Sequence, residues 1–169
     1  DLRRELDLPT QFPLAAQREA DRTAANRAVP DPDPTWGGGP RADRRDLPLV
    51  TIDPAESRDL DQAVCLARRC GGYRVWYAIA DVASYVRGGG ALEAAAWRRG
   101  VTVYLPDGKV PLHPEALSEG AASLLPDADR GAVLWTIDLD ADGATVAVSV
   151  ERAMVRSRAK LDYLGVQRD

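Results

Sequence analysis

Residues 62–80 of this 169-residue chain read QAVCLARRCGGYRVWYAIA. Two runs within this stretch, 62–67 and 73–80, are rich in the apolar, β-branched and aromatic residues that favour strands. Gly71 and Gly72 lie between them, and glycine readily adopts the backbone angles that a tight turn between paired strands requires. The stretch therefore predicts an antiparallel hairpin.

The regions on both sides of this hairpin continue the same pattern. Further strands are expected at 47–53, 101–105, 131–140 and 145–159, and short helices at 91–99 and 114–119. Strands and helices do not alternate regularly, as they would in a doubly wound parallel sheet. The order of elements predicts an α+β fold with a mixed, mostly antiparallel sheet and short helices.

Proline and glycine content divides the chain into three parts. Residues 1–28 have helical periodicity, which Pro9 and Pro13 interrupt, and they predict a helical N-terminal extension. Residues 29–46 contain four prolines and three glycines and predict a flexible linker. Residues 47–169 are expected to form the main domain.

Composition excludes several classes of protein. The chain has 22 Lys and Arg against 26 Asp and Glu, so any contact with nucleic acid must come from a local basic patch. No apolar run approaches the roughly 20 residues that cross a bilayer, and the first residues lack a signal-peptide core. Two cysteines and a single histidine, His113, are too few for a structural zinc site and give no support for a hydrolytic triad. We expect a cytoplasmic, monomeric protein without a membrane partner.

Three aspartates fall within nine residues, between two expected strands. Asp59 and Asp61 are two positions apart, so in an extended segment their carboxylates lie on one face. Pro54 forces a turn that brings Asp53 back toward them. Clustered carboxylates attract a hard divalent cation such as Mg²⁺, which suits metal-assisted phosphodiester hydrolysis. An ordinary solvated acidic loop is an equally good interpretation of the spacing alone.

From these aspartates onward the sequence resembles the RNB catalytic domain of the ribonuclease II and ribonuclease R family. The resemblance begins with TIDPAESRDLDQAV (51–64) and continues through YAIADVASYVRGGG (77–90) and VTVYLPDGK (101–109) to VRSRAKLDYLGVQ (155–167). It covers residues 45–167 in the order of the family. It implies a hydrolytic, Mg²⁺-dependent 3′-to-5′ exoribonuclease that releases nucleoside 5′-monophosphates from single-stranded RNA.

The resemblance also implies which residues form the metal site. Asp53, Asp59 and Asp61 match three of the four metal-site aspartates of the family and are expected to be catalytic. The fourth position holds Gln62, whose amide oxygen is able to ligate Mg²⁺ but contributes no charge.

Two tyrosines match aromatic residues of the family. Tyr104 corresponds to a tyrosine that stacks on the 3′-terminal base, and Tyr163 to a second aromatic near the RNA path. The catalytic arginine of the family and its C-terminal RNA-binding domain fall beyond residue 169. The resemblance therefore implies the front part of a catalytic domain, which we expect to be nearly inactive alone.

A row of basic residues follows the second expected hairpin. Along the strand expected at 145–159 and just beyond it, alternate positions hold Arg152, Met154, Arg156, Arg158 and Lys160. Such a row is able to track a phosphate backbone, and we expect the last three of its basic residues to bind RNA. The solvated outer side of an ordinary half-buried strand explains the alternation equally well.

Three functions remain open on these grounds. The first is a ribonuclease of the RNB type. The second is a catalytically weak or inactive RNA-binding module, because the fourth aspartate and the C-terminal half are missing. The third is a structural metal-binding domain without a role in RNA chemistry.

Overall fold

The structure is a computed structural model that describes residues 2–26, 29–30 and 40–168. The helices are α1 (Leu2–Glu5), α2 (Leu14–Ala25), α3 (Ala91–Arg99) and α4 (Tyr163–Arg168), with a 3₁₀ turn at Val82–Tyr85 and a π-helical turn at Leu117–Ala121. The strands are β1 (Ala42–Asp43), β2 (Val50–Ile52), β3 (Gln62–Arg69), β4 (Gly72–Ala80), β5 (Val103–Leu105), β6 (Gly108–Val110), β7 (Asp129–Asp140), β8 (Thr145–Arg156) and β9 (Ala159–Leu161). Among the described residues, no helix is long and apolar enough to cross a membrane.

Seven strands within the described ranges form one sheet, in the order β1-β8-β7-β4-β3-β2-β9. The long central pairs β3–β4, β4–β7 and β7–β8 are antiparallel, and the edge pairs β1–β8 and β2–β9 are parallel. β5 and β6 form a separate two-stranded antiparallel hairpin. The prediction of a mixed, mostly antiparallel α+β fold is confirmed.

The hairpin of residues 62–80 forms the centre of the sheet. Val64 pairs with Tyr77, and the strands reverse at Gly71, whose φ is +79°. A Cβ on Gly72 would overlap the carbonyl oxygen of Leu139 on the adjacent β7. Glycine is therefore required at both positions, at the first for its backbone angle and at the second for the close approach of β7.

One face of the sheet carries the main core. Side chains from alternate positions of β3, β4, β7 and β8 pack there against Leu49, Leu60 and Leu124, which are fully or almost fully buried. Each fully buried leucine contributes about 1.5–3 kcal/mol through removal of apolar surface from water. Since Leu60 belongs to this core, the segment that carries the three aspartates is anchored to it.

The N-terminal helix α2 belongs to a second core. Its Ala20 is buried with Tyr85, Leu92 and Leu117. Glu19 Oε2 accepts hydrogen bonds from the first backbone N–H groups of α3, Ala91 and Leu92, at 2.9 and 3.2 Å. α2 is therefore held against the main domain by apolar packing and by a side-chain cap on a neighbouring helix.

The predicted linker at 29–46 lies partly outside the described residues, because residues 31–39 are not among them. Residues 1, 27 and 28 of the predicted helical extension and residue 169 also lie outside. After the gap, Arg41 forms a buried ion pair with Asp81, and β1 pairs with β8. The last residues of the predicted linker therefore pack into the main domain, which begins before residue 47.

Two predicted element boundaries need correction. The strand expected at 145–159 ends at Arg156, because Ser157 Oγ donates to the Ala159 carbonyl and Arg158 N donates to the Leu49 carbonyl, which turns the chain. The backbone then continues as β9 at the other edge of the sheet. The short helix expected at 114–119 instead passes into the π-helical turn that ends at Ala121.

Candidate active site

The segment 53–61, called here the acidic loop, connects β2 to β3. Asp53 N donates to the Leu161 carbonyl at one end, and the Asp61 carbonyl accepts from Ala80 N at the other. Between them, Leu60 N donates to the buried hydroxyl of Ser123 at 3.0 Å. Both ends and the middle of the loop are therefore fixed by the sheet and the core, although the loop itself has no regular secondary structure.

The three aspartates of the acidic loop influence one another electrostatically. Burial raises the pKa of Asp61, and the charges of Asp59 and Asp53 raise it further. Burial also raises the pKa of Asp53. The charge of Lys160 lowers this pKa, and the charge of Asp59 raises it. The three carboxylates singled out in the sequence are thus within electrostatic reach of one another, and their repulsion is the kind that a cation relieves.

Lys109, from β6, forms an ion pair with one of the three aspartates of the acidic loop. Its Nζ lies 2.7 Å from Asp59 Oδ2 and 3.0 Å from Glu119 Oε1. Burial alone would lower the pKa of Lys109, but the hydrogen bonds to the two carboxylates outweigh burial and raise it. Nothing in the sequence pattern pointed to Lys109 or to Glu119, which comes from the π-helical turn.

Lys160, predicted as an RNA contact, lies on the other side of the acidic loop. Its Nζ donates to the carbonyls of Ala55 and Ser57 at 2.6 and 2.5 Å. Its charge lowers the pKa of Asp53 against the larger effect of burial. In this structure the ammonium of Lys160 therefore braces the backbone of the acidic loop.

Gln62, predicted as a metal ligand, is not placed with the aspartates. The hydrogen bond from Ala80 N to the Asp61 carbonyl continues the β3–β4 ladder, in which Gln62 pairs with Ile79. Successive side chains of a paired strand point to opposite faces of the sheet, so Asp61 and Gln62 diverge. Gln62 instead lines a cavity of about 200 Å³ together with Val50, Ile52, Ala63, Val64 and Tyr77.

The donor chemistry of the acidic loop fits a hard divalent cation. Its oxygen donors are carboxylates whose charges oppose one another, the situation in which Mg²⁺ is bound most readily. Among the described residues, however, no three Asp, Glu, His or Cys side chains are placed to share one ion. Asp59 forms an ion pair with Lys109, so its carboxylate must leave Lys109 before it can share an ion with Asp53 and Asp61.

The two predicted stacking tyrosines are both exposed. Tyr104 is 73% exposed on β5 and lies directly opposite Lys109 in the β5–β6 hairpin. Residues directly opposite in an antiparallel pair project from the same face, so Tyr104 stands next to the side chain that contacts Asp59. Tyr163 is 61% exposed and begins α4, just after β9.

The predicted row of basic residues is not continuous. Arg156 ends β8 and pairs with Asp129, whereas Lys160 lies in β9 at the opposite edge of the sheet. Five strand spacings of about 4.8 Å each separate these two strands. Between them Arg158 donates to the carbonyls of Arg45 and Asp46. The single basic stripe expected from alternation is therefore wrong, because the chain changes strands at residue 157.

Comparison with known proteins accounts for this arrangement. The family model of the RNB domain matches residues 41–168. The chain belongs to the RNB domain family. It is 43% identical to Ribonuclease R of Escherichia coli over 127 residues, which are 75% of this chain and 16% of that protein. It is 40% identical to Ribonuclease R of Vibrio cholerae over 157 residues, 92% of this chain and 19% of that one.

The solved structures agree with the family. Mycoplasma genitalium RNase R in complex with ribose methylated single-stranded RNA matches 96% of this chain and 24% of its own, with a TM-score of 0.84 and 27% identity. Yeast Ssd1, a pseudonuclease, shares the fold at a TM-score of 0.69 and 15% identity. The resemblance to the RNB family is confirmed. The chain spans about a sixth of the length of the Escherichia coli protein and about a fifth of the length of the Vibrio cholerae protein.

Proposed function

We propose that this chain supplies the cation-binding and 3′-end-binding part of a hydrolytic 3′-to-5′ exoribonuclease. Its substrate is single-stranded RNA and its products are nucleoside 5′-monophosphates. The proposal rests on one observation above all. In a member of the RNB family, Asp53, Asp59 and Asp61 lie on one short loop within electrostatic reach of one another, and the exposed Tyr104 lies next to the lysine that contacts this loop.

Asp53, Asp59 and Asp61 are the residues that would hold Mg²⁺. When bound, Mg²⁺ stabilises the charge that develops on a phosphodiester and activates the attacking water. The protein contributes fixed positions for the carboxylates, since β2, β3 and Ser123 hold the loop. Asp53 and Asp61 must be ionised to act as ligands, which burial and mutual repulsion make harder than usual.

Tyr104 would hold the end of the RNA. An exposed aromatic ring stacks on any base because every base has a π-face, so binding would not depend on sequence. Its position opposite Lys109 places this platform next to the acidic loop, where the terminal phosphodiester would be presented. Tyr163 would add a second aromatic contact from the start of α4.

A catalytically weak RNA-binding module is the second candidate. With Gln62 at the fourth aspartate position of the family, three metal-site aspartates remain, and Asp59 is already paired with Lys109. Both features lower the attraction of the site for a divalent cation. This alternative keeps the RNA-binding role of the tyrosines and gives up the hydrolysis.

An oligoribonucleotide labelled at its 5′ end separates the candidates. In Mg²⁺, a longer polypeptide that joins these residues to the rest of an RNB domain should shorten it stepwise from the 3′ end. The 169-residue chain alone should be slower by about 10²–10³, the typical loss when an electrostatic group that stabilises the transition state is missing. Asp61→Asn in the longer polypeptide is the matched control and should abolish cleavage. Binding without any shortening would favour the weak module.

A further inference from the structure

Lysine is used at two positions in this chain, and both are at the acidic loop. The 22 Lys and Arg residues include just Lys109 and Lys160 as lysines, and all the others are arginines. Lys109 contacts the carboxylate of Asp59, and Lys160 contacts the backbone of the same loop. Both lysine side chains of the protein therefore contact the acidic loop.

The two lysines bind different kinds of partner. Lys160 donates to the carbonyls of Ala55 and Ser57, which cannot move away unless the loop backbone changes shape. Lys109 donates to the side-chain carboxylates of Asp59 and Glu119, which rotate about single bonds. Lys109 and Asp59 are also partly exposed, at 25% and 23%, so water and ions reach this pair.

We propose that Lys109 is a displaceable counter-ion of the acidic loop. A divalent cation must displace the ammonium of Lys109 from Asp59 before Asp59 becomes a ligand of that cation. This inference rests on the proposed function, since it takes the acidic loop to be the cation site. Glu119 retains the ammonium after displacement, so Lys109 keeps one carboxylate partner in both states. Lys109 is then a positioning residue with two partners, and Lys160 is a fixed brace.

The chemistry of lysine suits this exchange. An ammonium is a point charge with three rotatable donors, whereas an arginine fork binds a carboxylate bidentately and in a fixed geometry. The exchange also accounts for the lack of a ready-made set of three ligands among the described residues, because Asp59 is occupied by Lys109. It connects the loop to RNA as well, since Tyr104 stands opposite Lys109 in the hairpin.

Selective isotope labelling of lysine tests the displacement directly. In the 169-residue chain, ¹³C-lysine gives two Cε–Hε signals, which Lys109→Arg and Lys160→Arg assign. Mg²⁺ added at constant ionic strength should shift the Lys109 signal, and this titration should give the same dissociation constant as calorimetry. The Lys160 signal, the internal control, should shift less, because its carbonyl partners do not ligate the ion.

Calorimetric titration with Mg²⁺ tests the role of Glu119 as the second partner of Lys109. The four proteins compared are the wild type, Lys109→Met, Glu119→Gln and the double variant. Lys109→Met should tighten Mg²⁺ binding about tenfold, because the competing charge is gone. Glu119→Gln should weaken binding in the wild-type background, since the displaced ammonium then loses its second partner. In the Lys109→Met background the same substitution should change little. An equal weakening in both backgrounds would mean that Glu119 acts through its charge alone and would overturn its assigned part.

The outcomes separate the two levels of the argument. If Mg²⁺ binds while the Lys109 signal stays in place, the counter-ion inference is wrong and the cation site stands. If neither the wild type nor Lys109→Met binds Mg²⁺, the cation site itself is wrong, and the inference fails with it. Binding by Lys109→Met together with very weak binding by the wild type supports the inference in its strongest form.

Discussion

Two ion pairs of this protein, Arg41–Asp81 and Lys109–Asp59, each join a basic side chain to an aspartate, at 2.8 and 2.7 Å. Their surroundings differ. The side chains of Arg41 and Asp81 are 5% and 4% exposed, and Ser84 Oγ donates to the same Asp81 oxygen at 2.7 Å. The Lys109 pair is partly exposed and has Glu119 as a second acceptor. A sealed pair cannot change partners without leaving a buried charge uncompensated, whereas an accessible pair can.

The difference indicates different tasks for the two pairs. Arg41 directly precedes β1, and Asp81 directly follows β4, so their pair fastens the β1 end of the sheet to its centre. Lys109 and Asp59 lie instead on a small hairpin and on a loop. The buried pair is expected to contribute to folding, and the exposed pair to cation binding. The predictions that follow test this division.

Asp81→Asn should cause the largest loss of stability. The substitution keeps the shape of the side chain but leaves the guanidinium of Arg41 buried without its counter-charge, which typically costs about 3–5 kcal/mol. The matched variant Asp59→Asn breaks the accessible pair and should cost less than about 1 kcal/mol. Urea unfolding at neutral pH measures both. Equal losses in the two variants would contradict the division.

Gly131→Ala should cause the next largest loss. A Cβ there would lie 2.8 Å from Arg41 Cζ and from a Val29 methyl carbon, and Arg41 cannot withdraw while Asp81 holds it. Overpacking of this kind typically costs about 1–3 kcal/mol. The control is Gly120→Ala, where the nearest atom is the Glu115 carbonyl oxygen at 3.7 Å. Thermal unfolding should show a smaller cost of Gly131→Ala in an Arg41→Ala background.

Local patterns in the sequence were sufficient to predict the centre of the sheet. The 62–80 hairpin needs two apolar runs and a glycine turn, all of which are adjacent in the chain. The parallel edge pairs were beyond such reasoning, because Val50 pairs with Ala159, more than a hundred residues away. The alternation of 152–160 continued through Ser157 without a visible break, so the change from β8 to β9 was missed.

The candidate site divides in the same way. Asp53, Asp59 and Asp61 are close in sequence, so the electrostatic coupling of their carboxylates could be predicted. Lys109 and Glu119 reach the acidic loop through space from a hairpin and a π-helical turn, and their side-chain types gave no local signal. The orientation of Gln62 depends on how far the β3 ladder extends toward Asp61, which the family pattern does not show.

Acidification should weaken Mg²⁺ binding from a pH above the ordinary aspartate pKa of 3.8. Burial and neighbouring aspartates raise the pKa of Asp53 and Asp61, and a protonated carboxyl is a poor ligand. Affinity is therefore full above the raised pKa values and is lost as the pH falls through them. Calorimetry at a series of pH values and constant ionic strength measures this. Asp61→Asn should weaken binding about tenfold at neutral pH. An affinity that stays constant down to pH 3.8 would contradict the repulsion within the loop.

Gln62→Asp should have the smallest effect, although it restores the fourth aspartate of the family pattern. Because Asp61 and Gln62 point to opposite faces of the sheet, the new carboxylate would act on the ion through its field rather than as a ligand. At roughly 8 Å in water-like surroundings, one charge contributes about 1 kcal/mol to the binding of a divalent cation. Screening by about 0.1 M salt reduces this to about 0.5 kcal/mol, or about twofold in affinity. Calorimetry should thus give a much smaller gain than Lys109→Met does. Tightening by tenfold or more would instead mean that residue 62 turns toward the acidic loop when a cation binds. The Mg²⁺ affinity of the acidic loop would then depend on the conformation at the start of β3 as well as on Lys109.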